Sequence, residues 1–107
     1  MTKETAKNLM DLVQFKYDHR NIPDRLWKRV NRCQAWYFGV GSWKVLRSYK
    51  TVVAIYDEME NVLYSYGRYS MTTYQHIRKF RNLMGTEKGI APWNIQEVNL
   101  ELVNYFK

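Results

Sequence analysis

The feature that most limits the fold is a run of β-branched and aromatic residues between Ala35 and Tyr66, broken at short intervals by turn residues. Residues of these types favour a pleated, half-buried surface, and short runs bounded by turns are typical of antiparallel strands. The predicted strands are Ala35–Val40, Trp43–Tyr49, Thr51–Asp57 and Val62–Tyr66. Gly41-Ser42 fits a two-residue hairpin turn with glycine first. We therefore expect a four-stranded antiparallel meander.

Helical periodicity precedes these strands. Apolar residues at the spacing of one helical face are Ala6, Leu9, Met10, Val13 and Tyr17. Thr2 is placed to cap this first helix. Pro23 suits the first position of a second helix, which we predict from about Pro23 to Arg32, with Trp27 and Val30 facing inward.

Another helix is expected after the strands. Thr72 and Gln75 form a capping-box pattern, and Ser70 is an alternative cap. The inward stripe consists of Thr73, Ile77, Phe80 and Met84. The outward stripe consists of His76, Arg78, Lys79 and Arg81. Gly85 fits the left-handed stop at the helix end.

The C-terminal segment has two interpretations. Asn94 followed by Glu97 resembles a helix start, with Ile95, Val98, Leu102 and Tyr105 facing inward. The residues Val98, Leu100, Leu102 and Phe106 also alternate as a strand would. We prefer the helix. The expected fold is an α+β single domain over residues 1–107, with the meander packed against helices and with N- and C-terminal helices.

Composition excludes several classes of protein. The hydrophobic fraction of 46% is too high for a disordered chain, and the apolar run from Val52 to Tyr56 is too short to span a bilayer. Cys33 is the single cysteine, which rules out an internal disulfide and suits a reducing compartment. No secretory signal follows Met1. The sequence therefore indicates a small intracellular globular protein.

The net charge of +7 is unevenly distributed. Between Gln14 and Lys50 there are nine basic residues against two acidic ones, whereas Thr51 to Gly67 has three acidic residues and no basic one. Arg68 to Lys88 is again basic, with five cations against Glu87. The two predicted helices in the basic segments each carry a basic outer face, and an acidic hairpin tip lies between them in sequence.

Basic residues interleaved with aromatic ones suit a nucleic-acid surface, because cations neutralise phosphates and aromatic rings stack on unpaired bases. The candidate nucleic-acid or partner-binding residues are Arg25, Lys28, Arg29, Arg32, Lys44, Arg47, Arg78, Lys79 and Arg81. Two other interpretations stay open. These cations also fit a merely solvated surface, or a face shaped for an acidic protein partner.

Catalytic chemistry is not indicated. His19, His76 and Cys33 belong to no metal-ligand motif, and Cys33 is better explained as a buried small hydrophobe than as a nucleophile. The acidic residues Asp57, Glu58 and Glu60 suggest a solvated hairpin tip, because no carboxylate in the chain has the lysine two positions later that many nucleases require. We therefore predict no enzyme, no catalytic residue, no metal site and no cofactor.

One part of the chain resembles a known group of proteins. The segments Leu46-Arg47-Ser48-Tyr49-Lys50-Thr51-Val52-Val53-Ala54 and Gly67-Arg68-Tyr69-Ser70-Met71-Thr72-Thr73 lead into His76-Ile77 and Lys79-Phe80. This pattern resembles small proteins of bacteriophages and prophages of Gram-positive bacteria that share a Tyr-Ser-x-Thr-Thr turn-helix module. The resemblance spans Leu46 to Phe80, about a third of the chain.

The resemblance implies a phage accessory role and supplies no catalytic residues. Our interpretation is a protein in the cytoplasm of the bacterial host that binds nucleic acid or a nucleoprotein complex through basic helix faces. The alternative is a phage-encoded inhibitor of a host defence nuclease, similar in action to anti-CRISPR proteins, that works through protein contacts. Neither role involves a membrane, and the sequence leaves a homodimer open as well.

Overall fold

A computed structural model describes residues 2–66 and 69–101 of the chain. Two helices are present in these ranges, α1 over Lys3–Asp18 and α2 over Met71–Lys88. The strands are β1 (Lys28–Arg29), β2 (Ala35–Val40), β3 (Trp43–Ser48), β4 (Thr51–Asp57), β5 (Val62–Ser65) and β6 (Gln96–Asn99). Short 3-10 turns cover Asp24–Leu26 and Pro92–Asn94.

All six strands form one sheet in the order β1-β2-β3-β4-β5-β6. Neighbouring strands from β1 to β5 are antiparallel, whereas β6 is parallel to β5, and α2 connects the two. The prediction of a four-stranded meander is therefore wrong, since the sheet is six-stranded and mixed. The predicted α+β class describes the elements correctly, and the four predicted strands correspond to β2–β5.

The two helices pack on opposite faces of the sheet. Alternate strand residues point to opposite faces, so Val45 joins the cluster under α1 while Leu46 joins the cluster under α2. One irregularity changes this alternation: Leu46 pairs with Ala54 and Arg47 pairs with Val52, which leaves Val53 as a bulge. The result is a helix–sheet–helix sandwich in which the central strands β3, β4 and β5 are buried on both sides.

The ends of the helices follow from their capping residues. The Thr2 side chain accepts a hydrogen bond from the Thr5 backbone N–H, as predicted for the cap of α1. Ser70, the alternative of the two predicted caps, accepts from the Thr73 N–H at the start of α2. The predicted stop at Gly85 is wrong, because α2 continues to Lys88 and Gly89 takes the left-handed conformation with a φ of 72°.

The helix predicted from about Pro23 to Arg32 is also wrong. The segment forms a 3-10 turn followed by β1. Trp27 and Val30 are buried in the clusters on opposite faces of the sheet. A helix would have placed both side chains on one face. The Val30 N–H donates to the Ala35 carbonyl at 2.9 Å, so pairing with the following strand overrides the helical spacing of the apolar residues.

The preference for a C-terminal helix is wrong over Gln96–Asn99, where the strand interpretation applies. Ile95 and Leu100 flank β6 and are buried in opposite clusters. The backbone N–H groups of Gln96 and Leu100 donate to Asn61 and Ser65 at 3.1 and 2.8 Å. The remaining residues of the prediction, Leu102, Tyr105 and Phe106, lie outside the described residues.

Neither α1 nor α2, the helices within the described ranges, combines the length and apolar character needed to cross a membrane.

Candidate nucleic-acid interface

The structure separates the nine predicted binding residues into two groups. Six are exposed: Arg25, Lys28, Arg29, Arg32, Arg78 and Lys79. The other three, Lys44, Arg47 and Arg81, are bonded within the protein and are half-buried or buried. Burial and pairing therefore decide which of the cations face a partner.

Arg47 is enclosed by aromatic rings under α1. Its guanidinium carbon lies 4.3 to 4.6 Å from the ring centres of Tyr17, Trp27 and Trp36, and its side chain is only 8% exposed. Nη1 donates to the Tyr17 hydroxyl at 3.1 Å and to the Tyr49 carbonyl. Burial lowers the pKa of Arg47, and Tyr17 and Asp24 partly offset that effect. Arg47 was predicted to lie on the binding surface, but it is buried and stabilises the core through its contacts with these rings.

Lys44 and Arg81 are engaged at other places. Lys44 forms an ion pair with Glu58 at 2.9 Å. Arg81 donates to the Ile95 carbonyl at 2.7 Å and lies 3.5 Å from a Glu97 carboxylate oxygen, so it ties α2 to β6. Both cations stabilise connections between elements.

Three hydrogen bonds bring separate basic segments to one end of the sheet. The Tyr49 N–H donates to the Gln34 carbonyl at 2.9 Å, which joins the β3–β4 turn to the β1–β2 turn. Gln14 of α1 donates to the Lys50 carbonyl at 3.0 Å. Ser48 pairs with His76 of α2 at 2.7 Å. The cations on these segments are Arg20, Arg29, Arg32, Lys50, Arg78 and Lys79, and we name them the basic end.

Two aromatic rings lie among these cations. Tyr49, in the β3–β4 turn, is 53% exposed, and its ring centre lies 5.6 Å from that of His76. Trp36 is half-buried, with the guanidinium carbon of Arg29 5.6 Å from its ring centre. The Arg29 Nε also donates to the Cys33 carbonyl at 2.9 Å, which holds this cation in place. Of the two rings Tyr49 is the exposed one, and an exposed ring beside cations is an arrangement that binds unpaired bases.

Opposite the basic end, the sheet carries acidic turns. Asp57 is buried, and its Oδ1 accepts from the backbone N–H groups of Met59 and Glu60 at 3.0 and 3.3 Å. The Glu58 N–H donates to the Ser42 carbonyl at 3.0 Å, and Lys88 donates to the Glu58 carbonyl.

Across residues 2–66 and 69–101, no group of three potential metal ligands comes together.

His76 was predicted on the outward stripe of its helix, and that prediction is wrong. The imidazole is buried, with Nδ1 against the Ser48 Oγ. Burial, with Lys79 as a second cause, lowers the pKa of His76. Cys33, expected to be a buried hydrophobe, is half-buried and packs against the cluster under α2.

Sequence reasoning left Arg20 and Lys50 out of the candidate set. Lys50 follows a predicted strand directly, and a turn between two strands always lies at an end of the sheet. That spacing was enough to place Lys50 and Tyr49 at one end. Arg20 depends on where α1 ends relative to the β3–β4 turn, a contact between distant segments that the sequence does not encode locally.

Comparison with known proteins supports membership of one family. The family model for DUF8033, a family of unknown function, matches residues 7–95, which is most of the chain. The protein therefore belongs to the DUF8033 family. No curated protein and no solved structure matched the chain.

Proposed function

We propose that the protein binds single-stranded nucleic acid, without catalysis, through the basic end. The observation that carries this proposal is that hydrogen bonds join four cation-bearing segments at the end of the sheet where the exposed ring of Tyr49 lies. Arg32 and Lys50 form no hydrogen bond or ion pair through their side chains to another described residue, so their charges are available to phosphates. Arg25 and Lys28 extend the positive surface along the β1 edge.

The proposal favours single strands over duplex because of the rings. A duplex presents its bases stacked and closed, whereas a single strand can place a base on Tyr49 while its phosphates contact Arg32 and Lys50. The nucleic acid is either free or part of a nucleoprotein complex. A phage accessory role in the host cytoplasm belongs to the same proposal and is supported by the resemblance over Leu46 to Phe80.

The test is fluorescence anisotropy with labelled single-stranded DNA, single-stranded RNA and duplex DNA at about 50 and 200 mM salt. Contacts with six phosphates of a single strand should weaken affinity by roughly several hundredfold between these salt concentrations. Binding that changes little with salt, or equal binding to single strands and duplex, would contradict the proposal.

A matched pair of variants locates the interface. Arg32→Glu with Lys50→Glu reverses two charges at the basic end and should reduce affinity at least about 100-fold. Lys3→Glu with Lys7→Glu makes the same change in net charge at the start of α1. Lys3 precedes Gln14 by eleven residues, which is about 16 Å along the helix axis. Equal losses in the two variants would show that only bulk charge matters.

A second candidate function, inhibition of a host defence nuclease through protein contacts, is favoured by an apolar groove. The groove has a volume of about 180 Å³ and lies between α1 and β2. Its wall includes Leu12 and Leu26, which are 50% and 46% exposed. Inhibition of DNA cleavage by a purified RNA-guided nuclease, lost in Leu12→Asp but kept in Arg32→Glu with Lys50→Glu, would support this function over nucleic-acid binding.

A further inference from the structure

An open cleft of about 530 Å³ adjoins the basic end, between the last turn of α1, the 3-10 turn and the β3–β4 turn. Its size is within the range of small-molecule sites in proteins, about 300–1,000 Å³. Its polar wall consists of Tyr17, Asp18, Arg20, Asp24 and Lys50, and Ile22 and Pro23 supply an apolar wall. The cleft therefore offers cations, carboxylates and an apolar surface to one ligand.

Tyr17 lines the cleft and has a hydroxyl proton that can be donated. Its hydroxyl oxygen accepts from the Arg47 Nη1 at 3.1 Å, which leaves the hydroxyl proton free for another acceptor. The buried guanidinium lies 4.3 Å from the centre of the Tyr17 ring and adds a positive charge behind the wall. Arg20 and Lys50 also line the cleft, so its lining residues include three hydrogen-bond donors of the kind that bind a phosphate group.

Two carboxylates in the cleft wall, Asp18 and Asp24, disfavour a ligand that carries only negative charge. Asp18 accepts a hydrogen bond from the Gln14 amide at 3.0 Å, so it is partly satisfied. The Asp24 backbone carbonyl accepts from the Trp27 N–H at 3.1 Å, whereas its carboxylate, whose charge partly offsets the lowering of the Arg47 pKa by burial, makes no hydrogen bond or ion pair to another described residue. A ligand that contacts both the cations and the carboxylates of the cleft must combine an anionic group with neighbouring N–H donors.

We propose that this cleft binds one guanine nucleotide of the bound strand, and this inference rests on the proposed nucleic-acid function. The phosphate contacts Arg20, Lys50 and the Tyr17 hydroxyl. The Watson–Crick edge of guanine directs its adjacent N1–H and N2–H groups at the Asp24 carboxylate, and the base lies against Ile22 and Pro23. Adenine, cytosine and uracil each place an acceptor beside the donor, so none offers two neighbouring donors to one carboxylate.

The chemistry of the cleft distinguishes a nucleotide from a zwitterionic peptide end, which also carries both signs of charge. Arg20 and Lys50 belong to the basic end as well as to the cleft rim, so phosphates that follow the basic end reach the cleft along one path. The apolar wall of Ile22 and Pro23 is shared with the neighbouring groove and covers the face of a flat ring. A peptide end has a flat ring only when its terminal side chain is aromatic, whereas every nucleotide carries one.

The first experiment compares labelled oligonucleotides UUUGUU and UUUUUU by fluorescence anisotropy at one salt concentration. We expect UUUGUU to bind at least about tenfold more tightly. Asp24→Asn, which replaces an acceptor oxygen by a donor, should bring this ratio close to one. Asp11→Asn makes the same charge change at an exposed position of α1 and should keep the ratio.

The second experiment titrates the protein with GMP and with UMP by isothermal calorimetry. Tighter binding of GMP, weakened about tenfold in Tyr17→Phe, supports the cleft assignment whether or not longer strands bind. Equal affinities for UUUGUU and UUUUUU, together with equal affinities for GMP and UMP, would overturn the guanine assignment. Salt-sensitive binding of single strands would be left intact by that result. Absence of strand binding would instead remove the proposed function, and the GMP and UMP comparison would still decide the cleft.

Discussion

The Ser48 Oγ lies 2.7 Å from the His76 Nδ1, and both side chains are buried where β3 meets the first turns of α2. This pair joins the sheet to the helix at the basic end, beside the exposed ring of Tyr49. Because the imidazole has no carboxylate partner among its described contacts, its protonation inside the protein would leave an uncompensated buried charge.

Stability should therefore depend on pH through His76. Burial lowers the pKa of His76 below its usual value of about 6.5, so the unfolded chain binds more protons than the folded one in mild acid. This contribution to the free energy of unfolding is fully present above about pH 6.5 and is lost as the pH falls below it. Urea unfolding at pH 7.5, 6 and 5 measures the effect. His76→Gln should flatten the profile, whereas His19→Gln, at an exposed position, should not.

Arg47→Lys should destabilise the protein by about 2–3 kcal/mol despite keeping the charge. The lysine ammonium is not planar, so it cannot lie flat against the rings of Tyr17, Trp27 and Trp36. It also lacks the planar set of N–H donors of the guanidinium. Arg32→Lys, at an exposed position, should change the free energy of unfolding by less than about 0.5 kcal/mol. Chemical denaturation of both variants checks this, and equal stability of Arg47→Lys and the unchanged protein would show that the three rings around Arg47 require only its charge.

Gly85→Ala should destabilise the protein although alanine favours helices. A Cβ at this position would lie 2.9 Å from the Ile90 carbonyl oxygen and 3.3 Å from the Pro92 nitrogen, both of which are backbone atoms. Overpacking of this kind costs about 1–3 kcal/mol, against a gain in helix propensity of about 1 kcal/mol. A Cβ on Gly89 meets no atom, so Gly89→Ala should cost only the strain of its positive φ, about 1–2 kcal/mol. Thermal unfolding of Gly85→Ala checks the clash, and an unchanged or raised Tm would contradict it.

Gln14→Leu should loosen the basic end. The Gln14 amide donates to the Lys50 carbonyl at 3.0 Å and accepts from the Val52 N–H at 2.6 Å, so leucine leaves two backbone groups unpaired. We expect a loss of about 2–3 kcal/mol in the free energy of unfolding. Hydrogen exchange should show faster exchange at the Val52 amide. Gln14→Glu keeps an acceptor for that amide and should protect it better than leucine does.

The sequence predicted the elements whose patterns are local. α1, its Thr2 cap and the four strands β2 to β5 follow from apolar spacing and turn residues within a few positions. β1 was missed because Trp27 and Val30 have helical spacing, and their burial on opposite faces depends on partners in distant segments. β6 pairs with β5 across the whole of α2, a contact that alternation of residues only suggests.

The sequence indicated which types of residue the candidate site contains, but not which of the cations are exposed there. Arg29, Arg32, Arg78 and Lys79 are exposed at the basic end, as a nucleic-acid surface requires. Arg47 looked the same in sequence, and only the rings from α1 and β2 around it show that it is buried. Charge alone does not reveal whether a cation faces solvent or the core.

The parallel pairing of β5 with β6 has a consequence for the order in which the chain assembles. The hairpins from β2 to β5 join near neighbours, whereas the Val62–Gln96 pair closes a loop that contains the whole of α2. Contacts between distant segments form late, because the entropy cost of closing the loop is met before the contacts can stabilise the chain. Until β6 docks, β5 is an open edge, and a second chain in the same state can pair with it. Docking of β6 therefore ends the interval in which β5 can pair with a second chain.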